Sequence, residues 1–124
     1  VVLAAREVAM RGADEERLMP AVAAALDDAG VAPHALAVVV CGGGPGSFTS
    51  LRIAGAIAKG LAHAAGVPVV AAPSLALVAL AAAADAGARG RLLATMDAMR
   101  GDRYAALVTV ADAPPRDVAV IGYD

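Results

Sequence analysis

A glycine-rich corner, residues 42–46, constrains this chain more than any other feature. The run before it, residues 36–41, is continuously apolar and rich in valine, which is typical of a strand covered on both faces. The stretch after it, residues 51–65, has the apolar spacing of a helix. A strand, a glycine turn and a helix in this order bring backbone N–H groups to a helix N-terminus in α/β folds. We therefore expect an α/β fold organised around this corner.

The corner permits two interpretations. It is not a Walker loop, because no Lys-Ser or Lys-Thr pair follows at the required spacing and Lys59 lies deep in the predicted helix. It is not a dinucleotide fingerprint, because Thr49 stands where the last glycine is needed. A structural turn, with Ser47, Thr49 or Ser50 capping the helix, is favoured because glycine-rich turns commonly serve backbone geometry alone. The weaker alternative is an anion site, for which the candidates are Gly44, Gly46, Ser47 and Thr49.

The predicted helix 51–65 carries two neighbouring apolar stripes and one polar face. The first stripe is Ile53, Ile57 and Leu61, the second is Ala54, Ala58 and Ala62, and the polar face is Arg52, Lys59 and His63. A helix that is apolar over two adjoining faces is buried on two sides. We expect one side to meet the sheet and the other to meet a second helix or another chain.

The rest of the chain alternates short strands and helices. We predict two strands within residues 1–10, a helix from Asp14 to Ala29 ended by Gly30, a buried strand at 67–71, and a helix at 75–86 ended by Gly87. Pro20 either kinks the first helix or marks its true first turn. The strand–helix order implies parallel strands with right-handed crossovers. Three strands follow at 92–96, 104–110 and 118–121.

This pattern predicts two lobes, residues 1–88 and the start of a second at residues 89–124. The boundary falls in the glycine- and arginine-rich segment 87–91. Because the chain begins abruptly at Val1, we also expect a strand to precede it.

Composition excludes several classes of function. The net charge is −2 and there is no basic run, so the chain lacks the basic charge typical of a protein that binds nucleic acid by itself. A single cysteine excludes an internal disulfide and suits a reducing compartment. The longest apolar stretch, residues 67–84, is interrupted by Pro68 and Pro73, so no membrane span is predicted, and no signal peptide is seen.

Four isolated residues are candidates for a chemical site. Asp97 follows a predicted strand and is either a metal or phosphate ligand or, as we favour, a solvated turn residue or ion-pair partner. His34 and His63 are far apart and lack the spacing of a helical zinc pair, so neither is a predicted metal ligand. Cys41 adjoins the corner, but a buried structural thiol is commoner than a reactive one. We predict no catalytic residue and no metal site.

Several motifs together resemble one family. Residues 44–53 read Gly-Pro-Gly-Ser-Phe-Thr-Ser-Leu-Arg-Ile, and residues 58–61 read Ala-Lys-Gly-Leu. With Gly-Val-Pro at 66–68, Glu-Arg-Leu-Met-Pro at 16–20 and Asp-Ala-Met-Arg-Gly-Asp-Arg-Tyr-Ala at 97–105, they resemble the TsaB (YeaZ) family. Ser50 departs from the family's usual glycine, and the family's first strand and most of its C-terminal lobe have no counterpart here.

The resemblance implies a fold and a role. The fold is actin-like and ribonuclease-H-like (the ASKHA class), with a mixed sheet flanked by helices and the start of a second lobe. The role is that of a cytoplasmic, non-catalytic subunit that supports a TsaD-type enzyme in transferring threonylcarbamoyl to the tRNA adenosine beside the anticodon. A TsaE-type ATPase joins the complex, tRNA is contacted only indirectly, and no cofactor is expected on this chain, although ATP and magnesium are possible at the level of the complex.

This role requires a docking surface, and the apolar helices supply a candidate. The predicted partner interface, also used by a homodimer when the partner is absent, is Leu18, Val22, Leu26, Ile53, Ala54, Ile57, Ala58, Leu61 and Ala62. Two alternatives remain open at this stage. One is an active nucleotide-binding enzyme of the actin-like kinase class, using the corner and Asp97, and the other is a peptidase-like relative, for which no nucleophile–base pair is found.

Overall fold

The computed structural model describes residues 1–8 and 17–111. In that part of the chain the elements are α1 (Leu18–Ala29), a 3-10 helix (Pro33–Ala35), β1 (Val39–Gly42), α2 (Phe48–Ala65), β2 (Val69–Ala72), α3 (Ser74–Ala86), β3 (Gly90–Met99) and β4 (Asp102–Val110). Residues 1–8 form neither strand nor helix, so the strands predicted there are wrong for those residues. The predicted strand 118–121 and the proposed cap Asp14 lie outside the described residues.

The chain divides into two compact units. The first comprises Val1–Cys41 and Arg52–Val70, and the second comprises Gly42–Leu51 and Ala71–Asp124. This division follows spatial contacts and runs along a different line from the predicted lobe boundary after residue 88, which stays a prediction.

In the first unit, α1 resolves the ambiguity over Pro20. The helix begins at Leu18, so Pro20 occupies its first turn, where a missing N–H costs no helical hydrogen bond. Gly30 ends the helix with a φ of 64°, and its N–H donates to the Asp27 carbonyl oxygen at 3.0 Å. Arg6 pairs with Asp28 and ties the N-terminal segment to the last turn of α1.

Strands β1 and β2 pair in a two-stranded sheet. The Val39 N–H donates to the Pro68 carbonyl oxygen at 3.0 Å, and four residues further along both segments Gly43 donates to Ala72 at 2.7 Å. Because both sides of the pairing advance in the same direction, the strands are parallel, as predicted. Burial was predicted wrongly: Val40 is 54% exposed and Val70 is 48% exposed, because a two-stranded sheet leaves its apolar side chains without cover.

The second unit contains a sheet-on-helix core. Strands β3 and β4 pair antiparallel, with Leu92 opposite Val108 and Ala94 opposite Ala106. Helix α3 packs against this hairpin through Leu75, Ala76 and Ala79. Leu75 is 1% exposed and is the one large side chain fully buried in the described residues, so the core is made mostly of methyl groups.

Candidate partner surface and glycine corner

The glycine corner is held by three backbone-centred hydrogen bonds within the second unit. The Gly43 N–H donates to the Ala72 carbonyl oxygen at 2.7 Å. The Gly44 N–H donates to Ser74 Oγ at 3.2 Å, and the Ser74 N–H donates back to the Gly44 carbonyl oxygen at 2.7 Å. Of the anion-site candidates Gly44, Gly46, Ser47 and Thr49, Gly44 therefore has its N–H already paired within the chain.

The glycines of the corner are required by packing as well as by backbone conformation. Gly44 is buried and has a φ of 103°, a region that side chains rarely adopt, and a Cβ there would lie 3.3 Å from Leu51 Cδ1. A Cβ on Gly42 would lie 3.2 Å from Ser74 Oγ, and one on Gly43 would lie 3.2 Å from the Ala71 Cβ. The close approach of neighbouring segments thus accounts for this run of glycines.

Helix α2 begins three residues earlier than predicted, at Phe48, and Ser47 precedes it as its cap. The Ser50 N–H donates to Ser47 Oγ at 3.5 Å, and the Leu51 N–H donates to the Ser47 carbonyl oxygen at 2.9 Å. A side-chain acceptor reaching the N–H three residues on is the usual N-cap arrangement. The structural interpretation of Ser47 is therefore confirmed, whereas Thr49 and Ser50 lie inside the helix. Anion binding at Gly44, Gly46, Ser47 and Thr49 stays a prediction.

An apolar groove of about 510 Å³ lies in the first unit, and we call it the α1–α2 groove. Its wall comprises Met19, Val22, Ala23, Leu26 and Asp27 of α1, residues 30–33, and Leu61 of α2. Three residues of the predicted partner interface, Val22, Leu26 and Leu61, thus line one concave surface although they come from two helices. Val22 and Leu26 also line a second groove of about 430 Å³, together with Leu3 and Leu36.

Burial narrows the predicted interface. Ala58 and Ala62 are 5% and 4% exposed, so their own chain covers them and leaves almost no surface for a partner. The predicted contribution of these two alanines to a partner contact stays a prediction, because periodicity defines a stripe without saying which neighbour covers it. The other members of the predicted interface are half-buried, so part of each side chain remains accessible to a partner. They are Leu18, Val22, Leu26, Ile53, Ala54, Ile57 and Leu61.

The four isolated chemical candidates lie on four different elements. Asp97 is exposed in β3, opposite Arg103 in the ladder. His34 is exposed in the 3-10 helix, His63 is exposed in α2, and Cys41 is a half-buried free thiol in β1. Within residues 1–8 and 17–111, no three His, Cys, Asp or Glu side chains are placed to hold a metal ion.

The sequence analysis does not predict two features of these sites. The first is Ser74, whose hydroxyl accepts the Gly44 N–H from 30 residues away. The second is the segment 30–33, which lines the α1–α2 groove. The first carries no local signal, since the pairing depends on the fold. The second was signalled by the apolar Val31 following the helix-ending Gly30.

Comparison with known proteins defines the class. The family model described as "TsaD: tRNA N6-adenosine threonylcarbamoyltransferase" matches residues 7–119. Together with helices flanking parallel and antiparallel strand pairs, this assigns the chain to the actin-like, ribonuclease-H-like fold class, as predicted. Among the described helices, none combines the length and apolar character required to cross a membrane.

Similarity to individual proteins is more specific. The chain is 38% identical over 91 residues to the tRNA threonylcarbamoyladenosine biosynthesis protein TsaB of Bacillus subtilis, covering 73% of this chain and 38% of that one. It is 37% identical over 89 residues to TsaB of Escherichia coli, covering 72% and 38%. The solved structure of YeaZ from Pseudomonas aeruginosa superposes with a TM-score of 0.79 at 35% identity, covering 94% of this chain and 53% of that one.

The chain therefore belongs to the TsaB (YeaZ) family. It spans just over a third, 38%, of the length of these two curated relatives.

Proposed function

We propose that this chain works in tRNA threonylcarbamoyladenosine biosynthesis as a non-catalytic subunit that docks on a TsaD-type enzyme. The relatives from Bacillus subtilis and Escherichia coli carry the name of that biosynthetic process. The enzyme partner would move threonylcarbamoyl to the tRNA adenosine beside the anticodon, and a TsaE-type ATPase would complete the assembly. The complex would operate in the cytoplasm.

The observation that carries this proposal is the α1–α2 groove. Its wall is mainly apolar, with Asp27 as a charged member, and its helices present half-buried leucine and valine side chains that an incoming helix or loop can cover. Burying such side chains gives about 25 cal/mol for each Å² removed from water, which contributes to the free energy of docking. Ala58 and Ala62 of α2 are buried by their own chain, so this part of the helix is already packed before a partner arrives, which lowers the ordering cost of binding.

The same surface would serve a homodimer when the partner is absent. A two-fold dimer uses one patch on both copies, and an apolar groove beside a projecting side chain such as Met19 is compatible with self-complementary packing. The net charge of −2 does not favour binding to the tRNA phosphates, which supports contact of the tRNA backbone by another subunit.

The nucleotide-binding alternative has less support at the glycine corner. An anion that used the Gly44 N–H would have to displace Ser74 Oγ from it. Asp97, the other residue of that alternative, is an exposed strand residue opposite Arg103. No geometric feature of the described residues favours a peptidase, and docking remains our proposal.

Co-purification with a TsaD-type subunit tests this function. The chain, or the longer polypeptide that contains it, would be co-expressed with a tagged TsaD-type protein and the eluate analysed for stoichiometric recovery. Recovery through gel filtration as a single complex supports the proposal. Elution of a folded chain separately from the TsaD-type protein, with tight ATP–magnesium binding in calorimetry, would replace docking by the enzymatic alternative.

A further inference from the structure

We draw no further inference here: the strongest candidate, the apolar outer face of α3 where Leu77, Val78 and Leu80 are 41%, 46% and 39% exposed, carries nothing because nothing in the structure shows what covers it.

Discussion

Ser74 and Gly44 exchange two hydrogen bonds across 30 residues of sequence. The serine hydroxyl accepts the Gly44 N–H, and the serine N–H donates to the Gly44 carbonyl oxygen. Gly44 is buried, so both of its polar backbone groups depend on this single partner. The corner is consequently a closed junction between the end of β1 and the start of α3, and its stability can be tested at either residue.

Replacing Ser74 by alanine should destabilise the chain. The change leaves the buried Gly44 N–H without an acceptor, which costs about 1–3 kcal/mol for an unsatisfied buried group. Urea unfolding followed by circular dichroism measures the loss as a lower midpoint. Ser74→Thr is the control, because threonine keeps the hydroxyl and should recover most of the stability. Equal midpoints for Ser74→Ala and the unaltered chain would contradict the role given to the hydroxyl.

Replacing glycine by alanine should lower the stability of the chain at Gly44 and raise it at Gly60. Gly44→Ala forces a side chain into a φ of 103° and against Leu51, at a cost of about 1–3 kcal/mol. Gly60→Ala lies within α2 with nothing inside 4 Å of its Cβ, so it should stabilise by about 0.5–1 kcal/mol. Thermal unfolding of both variants gives the comparison. A stabilising Gly44→Ala would refute the packing argument for the corner.

Ala58→Glu should unfold the first unit rather than merely block docking. Ala58 is 5% exposed, and an unpaired carboxylate there would cost several kcal/mol. Ala56→Glu is the matched control, since Ala56 is exposed on the same helix and tolerates the charge. Far-ultraviolet circular dichroism and amide hydrogen exchange measure whether each of the two variants keeps its folded structure. If Ala58→Glu retained the exchange protection of the unaltered chain, the alanine stripe would have to face outward after all.

Met19→Glu should weaken association while leaving the fold intact. Met19 is 45% exposed at the α1–α2 groove, so a carboxylate costs little in the free chain but must be desolvated beneath a partner. We expect at least a tenfold loss of affinity for a TsaD-type subunit, about 1.4 kcal/mol, by surface plasmon resonance. Ala56→Glu again serves as control and should bind normally. Unchanged binding by Met19→Glu would move the docking surface away from this groove.

Loss of the Arg6–Asp28 pair should have little effect on global stability. Both side chains are nearly half exposed, at 48% and 46%, and exposed ion pairs contribute about 0–1 kcal/mol. Arg6→Ala should therefore leave the unfolding midpoint almost unchanged while increasing proteolysis near the N-terminus, because it releases the segment before α1. Limited proteolysis at low and high salt would reveal this difference. A large drop in the midpoint would show that the pair stabilises more than this segment.

Local sequence rules predicted the ends of the helices well. Gly30 and Gly87 were expected to end their helices, and their φ values are 64° and 62°. These signals succeed because a helix C-cap requires only that one residue adopt a left-handed conformation, and glycine does so without steric cost. The parallel pairing of β1 and β2 was predictable for a similar reason, since one crossover helix connects them.

Features that depend on distant partners were not predictable. The strand around Val40 was expected to be covered on both faces, but that outcome is decided by what packs on the sheet rather than by its own composition. Which neighbour covers Ala58 and Ala62 could not be predicted, because spacing identifies a face but not its neighbour. The hydrogen bonds between Ser74 and Gly44 could not be predicted because they join positions 30 residues apart with no periodic relationship.

The alanine-rich contact between α3 and the β3–β4 hairpin limits how the second unit can vary. Ala76 and Ala79 of α3 pack in one cluster with Ala94 and Ala106 of the hairpin, so methyl groups supply much of the filling between the helix and the sheet. Even one added methylene would wedge the two layers apart, at about 1–3 kcal/mol. Larger side chains can therefore be accommodated only on the outer surfaces, and the small size of alanine sets the spacing between helix and sheet.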